Sequence, residues 1–235
     1  MMHFPHSTGN DYAAPNGYIL SVSSHKGGTG RTTIALALAW LWSQRGLKVG
    51  LIDADTSQAA TLMAAGPDGK CRWKNVTLRQ GIESLDSLAA TSDVVLIDCP
   101  ALTERAAQDV LSVSHGVLLT ILPETLCLRT MPQATAAVRL ARATNPRLRL
   151  AGMIVNQLEY EHPDQDRVMQ ILRTGSQSFM IEPAIPRQDS LRSWAAFPGS
   201  DLPDGLARNC LQTLARLLRE QLQLSPKKPQ LVGQV

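Results

Sequence analysis

The chain has 235 residues, 44% of them hydrophobic and 18% charged, with a formal net charge of +3. This length fits one α/β domain with a single core, and no run approaches the roughly 18 uncharged apolar residues that a membrane-spanning helix needs. Because the four scattered cysteines form no Cys-x-x-Cys pair, neither a zinc site nor a disulfide framework is expected. The net charge permits contact with nucleic acid without demanding it. We therefore expect a cytoplasmic protein.

Three sections are expected along the chain. Residues 1–16 lack a basic start followed by an apolar stretch, so they are interpreted as a flexible leader and not as a secretory signal. Residues 17–224 are predicted to form a single domain. The polar, proline-containing residues 225–235 are predicted to be a flexible tail.

Within the domain, strand-like and helix-like segments alternate. Apolar runs rich in Val and Leu predict strands at 18–23, 48–53, 93–98, 116–122 and 148–156. Helices are predicted between and after them at 32–45, 57–65, 78–90, 103–112, 126–144 and 163–174, with an amphipathic helix at 203–224. This alternation predicts an α/β fold with a doubly wound, mostly parallel sheet flanked by helices. Ligands of such sheets bind beyond the carboxyl ends of the strands.

A glycine-rich loop follows the first predicted strand. Residues 18–33 read Y-I-L-S-V-S-S-H-K-G-G-T-G-R-T-T, which is an apolar strand, a loop and the start of a helix. Gly27, Gly28 and Gly30 allow the backbone around Thr29 to curl so that its N–H groups point at phosphate oxygens, and the helix adds its positive end. The order of these parts predicts a P-loop that binds ATP with Mg²⁺.

Three residues at the end of the loop define its expected chemistry. Thr32 follows the position at which the general P-loop pattern has lysine, so its hydroxyl is the expected magnesium ligand, and Thr33 is expected to bond the α-phosphate. Arg31 occupies the lysine position itself. Because a wide, planar guanidinium replaces a compact ammonium, we expect the nucleotide to bind and to be hydrolysed slowly.

With Lys26 at its front, the loop resembles K-G-G-x-G-K-T-T, the deviant Walker A pattern of the ParA and MinD family of P-loop ATPases. Every fixed position matches except Arg31. The resemblance spans roughly residues 18–224, and the short connection between residues 65 and 93 favours the compact ParA-like class. In that family the front lysine reaches the phosphates of the partner subunit in a nucleotide-sandwich dimer, which implies a nucleotide-binding and catalytic role for Lys26.

The second predicted strand runs into L-I-D-A-D-T-S-Q, which resembles the family's switch I stretch D-x-D-P-Q. The resemblance implies that Asp55 orients the attacking water and that Asp53 acts near magnesium. Two departures from the pattern are Thr56 at the proline position and the displaced Gln58. Capping of the following helix by these carboxylates is an open alternative.

Three later segments also resemble the family. V-V-L-I-D-C-P-A resembles its second aspartate motif, which implies that Asp98 holds a magnesium-bound water or senses the γ-phosphate. G-M-I-V-N-Q places Asn156 where the family has an asparagine that reads adenine, although an asparagine that caps a turn has the same pattern. The segment A-I-P-R implies that Pro186 and Arg187 border the base.

The resemblance implies a ParA-like ATPase that forms an ATP-dependent homodimer and binds non-specific DNA. It would position or partition a plasmid, chromosome or protein assembly together with a ParB-like or cargo-adaptor protein, in association with the nucleoid. For any single arginine, a solvated basic surface is the alternative to a DNA contact. The candidate contacts with DNA phosphates are Arg187, Arg192, Arg208, Arg216 and Arg219.

Two other classes remain open. A MinD-like localiser at a membrane or cell pole is favoured by P-E-T-L-C-L-R at 123–129, which resembles that branch. The segment P-K-K-P-Q-L-V-G-Q-V has too few apolar residues for a membrane-binding helix, so a membrane partner is not expected. A nucleotide-binding scaffold with little hydrolysis is the other class, and Arg31 is the reason to consider it.

Overall fold

A computed structural model describes residues 17–176, 178–196 and 201–227. The strands are β1 Tyr18–Ser23, β2 Val49–Asp53, β3 Val76–Gln80, β4 Val94–Asp98, β5 Gly116–Ile121, β6 Arg149–Val155 and β7 Met180–Ile181. The helices are α1 Arg31–Gln44, α2 Ala59–Ala64, α3 Leu85–Thr91, α4 Arg105–Val113, α5 Thr125–Thr144, α6 Pro163–Ser176, α7 Asp189–Ala196 and α8 Leu206–Gln221. The predicted leader at 1–16 lies outside the described residues.

The strands form one seven-stranded sheet in the order β3-β2-β4-β1-β5-β6-β7. Each neighbouring pair is parallel. Because β1 lies between β4 and β5, the chain winds outward from β1 in both directions, which is the doubly wound arrangement. The fold predicted from the sequence is therefore confirmed.

The prediction of a helix over 78–90 is wrong at its start. Val76 and Leu78 are buried whereas Thr77 and Arg79 are exposed, which is the two-residue period of a strand with one covered face. This strand, β3, pairs with β2 at the edge of the sheet, and a short 3₁₀ turn at Ile82–Ser84 precedes α3. The alternation covers only five residues, too few to separate it from the helical pattern that follows. The short elements β7 and α7 were also not predicted.

Helices cover both faces of the sheet. One apolar layer contains α1, α2, α7 and α8, and the other contains α3, α4, α5 and α6. Helix α1 is the most enclosed, since ten consecutive residues from Ile34 to Ser43 are buried. The indole N–H of Trp42 donates to the carbonyl of Ala215 at 3.0 Å and thereby ties α1 to α8. Among the described helices, none is both long and apolar enough to span a bilayer.

Two tryptophan rings join distant parts of the first layer. Trp73, in the loop between α2 and β3, stacks on Trp194 of α7 with the ring centroids 5.8 Å apart and the planes 8° from parallel. Both side chains are buried. The stack connects the loop that follows α2 with the helix that follows Arg187.

The last described residues contact the end of α3 and the segment that joins it to β4. The backbone N–H of Lys227 donates to Asp93 at 2.6 Å, and its ammonium donates to the carbonyls of Ala89 and Ala90 at the end of α3. Asp93 also accepts the backbone N–H of Lys48 at 2.7 Å. The predicted flexible tail thus begins with anchored residues, whereas residues 228–235 lie outside the described part.

Candidate functional site

The strand register brings the sequence motifs to one edge of the sheet. Asp98, the last residue of β4, is paired with Val22 of β1 on one side and with Asp53 of β2 on the other. Because the strands are parallel, all three carboxyl ends point the same way. The loop that follows β1 and the segment 54–58 that follows β2, called the switch segment here, therefore border the same space.

The P-loop, residues 24–30, has a backbone that only certain residues adopt. Gly28 and Gly30 have φ angles of 78° and 89°, in the left-handed region that favours glycine. Gly30 is the N-cap of α1, so the loop leads directly into a helix N-terminus. This is the strand, loop and helix arrangement that holds phosphate groups through backbone N–H groups and the helix dipole.

Side chains from the neighbouring strands brace the P-loop. The amide nitrogen of Asn156 donates to the carbonyl of Thr29 at 2.9 Å, and that of Gln157 donates to the carbonyl of Gly28 at 3.0 Å. The hydroxyl of Thr29 shares a 2.7 Å hydrogen bond with that of Thr120 on β5. Two loop carbonyls that would repel an anion are thus occupied by amide donors.

Asp98 and Thr32 form the floor of the site. The hydroxyl of Thr32 donates to Asp98 Oδ2 at 2.7 Å, while the buried Oδ1 has no hydrogen-bond partner in the described chain. Burial raises the pKa of Asp98 to about 7; the Thr32 hydrogen bond opposes this rise and the charge of Asp53 adds to it. A carboxylate oxygen without a partner beside a hydroxyl is a donor set that suits Mg²⁺. The residues present therefore fit the ion that the sequence predicts.

Asp53 has both carboxylate oxygens bound to backbone groups. Oδ2 accepts the N–H of Thr61, in the first turn of α2, at 2.7 Å, and Oδ1 accepts the N–H of Asp55 at 3.3 Å. These are the contacts expected of a carboxylate that caps a helix, which was the alternative to the magnesium role. The action of Asp53 near magnesium stays a prediction.

Arg31 joins the P-loop to the switch segment. One terminal nitrogen donates to Asp55 Oδ2 at 3.0 Å and the other donates to Ser24 Oγ at 3.3 Å. The Arg31 and Asp55 side chains are only 12% and 14% exposed, so solvent screens this ion pair weakly. Burial raises the pKa of Asp55, but hydrogen bonds from Ser57 and the charge of Arg31 outweigh it, and the net pKa is lowered. Asp55 is therefore a carboxylate held in place.

Lys26 contacts a residue that the sequence analysis did not single out. Its ammonium lies 2.6 Å from Glu124 Oε2, just before α5, and these side chains are 29% and 48% exposed. The hydrogen bond with Glu124 raises the pKa of Lys26. Glu124 lies in the segment at 123–129 that resembles the MinD branch, and this was the only signal of its involvement. The role of Lys26 across a dimer stays a prediction.

A cavity of about 380 Å³ lies beside the P-loop on the side of α7. Arg187 borders it and also pairs with Glu159 at 2.6 Å. One N–H of the Asn156 amide is committed to the P-loop, so reading of adenine by this residue stays a prediction. Gln157 was missed as a site residue, although it directly follows Asn156. The cavity is lined by Gly28, Gly30, Arg31, Thr32, Thr33, Asn156, Gln157, Pro186, Arg187, Gln188, Asp189, Leu191 and Arg192.

Most of the predicted DNA-contacting arginines have partners within the chain. Arg208 pairs with Asp204 at 2.6 Å and its guanidinium lies 5.7 Å from the centroid of the Trp40 ring. Arg216 pairs with Glu220 on the same helix, and Arg219 donates to a backbone carbonyl. Together with the Arg187 pair, these contacts match the solvated-surface alternative. Contact with DNA stays a prediction for all five arginines, including the exposed Arg192.

Comparison with known proteins identifies the family. Residues 20–197 match the CobQ/CobB/MinD/ParA nucleotide binding domain. The chain is 30% identical over 152 residues to the maintenance of carboxysome distribution protein A of Halothiobacillus neapolitanus, covering 63% of this chain and 69% of that protein.

Two solved structures share the fold. The Pyrococcus furiosus cell division ATPase MinD superposes with a TM-score of 0.71 at 21% identity, covering 87% of this chain and 99% of that one. Cobyrinic acid a,c-diamide synthase from Mycobacterium smegmatis with bound ADP and magnesium also gives a TM-score of 0.71, at 20% identity and with 91% and 99% of the two chains covered. The family model covers well over half of the described domain and includes the P-loop, the switch segment and Asp98. The chain belongs to the CobQ/CobB/MinD/ParA family of nucleotide-binding domains.

Proposed function

We propose that this protein is a ParA-like ATPase that binds Mg²⁺-ATP at the P-loop. The bound nucleotide joins two copies of the chain, and the dimer positions a cargo on non-specific DNA with the help of a partner protein. The observation that carries the nucleotide site is the buried Oδ1 of Asp98, which has no hydrogen-bond partner among the described residues. It belongs to the carboxylate that accepts the Thr32 hydroxyl, below a braced glycine loop.

Each part of the edge has a task in this proposal. The P-loop backbone and the N-terminus of α1 hold the phosphates. Thr32 and Asp98 hold the magnesium ion, which when bound neutralises charge that develops on the phosphate oxygens. Asp55 orients the attacking water, and the cavity bordered by Pro186 and Arg187 receives the base.

Lys26 is assigned to the partner subunit's nucleotide. Its ammonium is near the surface, and its contact with Glu124 is an exposed ion pair of the kind that costs little to break. The lysine is therefore able to leave Glu124 when a second copy presents a more highly charged triphosphate. This assignment supports a dimer in which each chain completes the other's site.

The dimer is tested by comparing Lys26→Ala with Lys48→Ala. Lys48 is exposed at the amino end of β2, away from the P-loop, and serves as the matched control. We expect Lys26→Ala to bind Mg²⁺-ATP but to remain monomeric with ATP on a sizing column, whereas Lys48→Ala dimerises like the unmodified chain. Equal dimerisation of both variants would contradict the assignment. Absence of any heat with Mg²⁺-ATP in calorimetry would contradict the nucleotide site itself.

The cargo-positioning role is supported by the carboxysome distribution protein, whose name states such a role. Binding to DNA should require ATP and should weaken steeply as salt rises, because each phosphate contact releases a counterion. Binding to liposomes with no binding to DNA would instead favour a membrane or pole localiser.

A scaffold that hydrolyses little ATP is the second candidate, and the Arg31–Asp55 ion pair favours it because this pair occupies the expected water-orienting carboxylate. Arg31→Lys should raise the rate of phosphate release several-fold, since an ammonium lacks the planar fork that holds Asp55 and Ser24 at once and so fixes Asp55 less firmly. Steady-state phosphate release checks this. A rate equal to or below that of the unmodified chain would show that the site requires arginine.

A further inference from the structure

Among the described residues, Arg31 and Asp55 are bound to each other and to neighbouring groups of the P-loop and the switch segment. Both terminal nitrogens of Arg31 are used, one on Ser24 and one on Asp55. Both oxygens of Asp55 are used as well, because Oδ2 accepts from Arg31 and Oδ1 accepts from the N–H of Ser57 at 2.9 Å. The N–H group that Arg31 gives to Asp55 is not available to a phosphate, and the side of Oδ2 that accepts it is not available to a water.

Arginine makes this arrangement possible where lysine would not. The planar guanidinium presents separate N–H groups in a fixed fork, so it holds two acceptors at once. Here it bridges Ser24, the first residue of the P-loop, and Asp55 of the switch segment. The ammonium of a lysine is a compact single charge without such a fork, so it would not hold both acceptors in this way. The departure from the family pattern at position 31 is therefore what links the P-loop to the switch segment.

A triphosphate competes with Asp55 for this cation. Several negative charges on the phosphates attract a guanidinium more strongly than one carboxylate does, and hydrogen bonds between charged groups are the strongest available at such a site. When Arg31 turns to the phosphates, Oδ2 of Asp55 loses its Arg31 hydrogen bond, and the position that the guanidinium occupied opens to a water. Binding of the triphosphate at the P-loop and release of Asp55 from Arg31 are then a single event.

We propose that Asp55 has a second role besides orienting water: it holds Arg31 in the nucleotide-free chain, so that ATP must displace it and thereby frees it for hydrolysis. This inference rests on the proposed function, since it assigns a regulation to the same nucleotide site. Asp55 then lowers the affinity for nucleotide and supports turnover. Removal of the Asp55 charge should therefore strengthen nucleotide binding and slow hydrolysis.

Calorimetry with Mg²⁺ and adenylyl imidodiphosphate, a non-hydrolysable ATP analogue, tests the proposal on four full-length chains. These are the unmodified chain, Asp55→Asn, Arg31→Lys and the double variant. We expect Asp55→Asn to bind the analogue about tenfold more tightly than the unmodified chain, a coupling of the size found between contacting charged groups. In the Arg31→Lys background the same change should tighten binding by less than about threefold.

The Arg31→Lys background separates displacement from simple repulsion between Asp55 and the phosphates. Repulsion alone predicts the same gain in both backgrounds, and that result would overturn the proposal, as would no gain in either. With ATP itself, Asp55→Asn should show lower turnover together with a lower KM. Where Asp55→Asn does not fold, Asp55→Ala takes its place in the same comparison.

Failure of the inference and failure of the proposed function give different results. Binding of the analogue that Asp55→Asn does not tighten overturns the displacement and leaves the nucleotide site intact. No binding to any of the four chains overturns the nucleotide site and the displacement together.

Discussion

The P-loop and the switch segment border the same space but are stabilised in different ways. The P-loop depends on two left-handed glycines, on a hydrogen bond with Thr120 of β5, and on Asn156 and Gln157 after β6, which donate to its carbonyls. The switch segment depends on the Arg31–Asp55 ion pair and on the carboxylate of Asp53. The first region is therefore held by backbone geometry and by neutral side chains of the same chain. The switch segment is held by an ion pair whose cation, Arg31, is also attracted to phosphate groups.

The largest expected effect concerns the P-loop. Gly30→Ala introduces a Cβ at a φ of 89° and inside the contact radius of Asn156 Nδ2, so we expect a loss of roughly 3 kcal/mol in the free energy of unfolding and loss of nucleotide binding. Gly27→Ala is the matched control for stability, because its Cβ would meet no atom within 4 Å. Urea denaturation of both variants measures this contrast, and calorimetry of Gly30→Ala measures the loss of nucleotide binding. Equal losses in the two variants would mean that the bracing by Asn156 does not define the loop.

A smaller effect is expected at the floor that both regions share. Burial raises the pKa of Asp98 from 3.8 to about 7. Between these two pH values, the folded chain keeps a proton on Asp98 that the unfolded chain has released. The carboxyl therefore costs stability as the pH rises from about 4 to 7, and the cost is constant above that range.

Asp98→Asn removes this cost. The free energy of unfolding of the variant should exceed that of the unmodified chain by an amount that grows by roughly 2 kcal/mol between pH 5 and pH 8. Urea denaturation of the nucleotide-free chains in the presence of a chelator measures this difference. A difference that does not change with pH would show that Asp98 is already ionised at pH 5.

The smallest effect is expected in the switch segment. Asp53→Asn keeps the size of the side chain but removes a charged acceptor of the Thr61 N–H, so we expect a loss of about 1 kcal/mol and faster hydrogen exchange at Thr61. Asp68→Asn, in an exposed loop where the carboxylate accepts the N–H of Lys70, is the control. A loss as large as that of Gly30→Ala would remove the contrast between the two regions.

The sequence predicts the central fold because the central strands are buried on both faces. Continuous apolar runs such as 94–98 leave little choice of structure, and β4 lies where it was predicted. The edge strand β3 has one exposed face, so its five residues resemble the start of the following helix. The interior of the sheet was thus more predictable than its edge.

The site follows the same rule. The P-loop and Asp98 are specified by local order along the chain, and the structure brings them together at one edge. The partners of Arg31, Lys26 and Thr29 come from 24, 98 and 91 residues further along the chain. No local pattern specifies such pairs, since they depend on the register of the sheet and on which side chains reach the loop. The departure at Arg31 was visible in the sequence, but its pairing with Asp55 was not.

The stacked rings of Trp73 and Trp194 give the protein an optical reporter of its own. One ring belongs to the loop after α2, and the other belongs to α7, whose residues Leu191 and Arg192 line the cavity beside the P-loop. Any shift of α7 on ligand binding changes the overlap of the two indoles and hence their emission. Stopped-flow fluorescence of the unlabelled chain would then follow nucleotide entry in real time, with Trp73→Phe as the reference that keeps the other three tryptophans but lacks the stack.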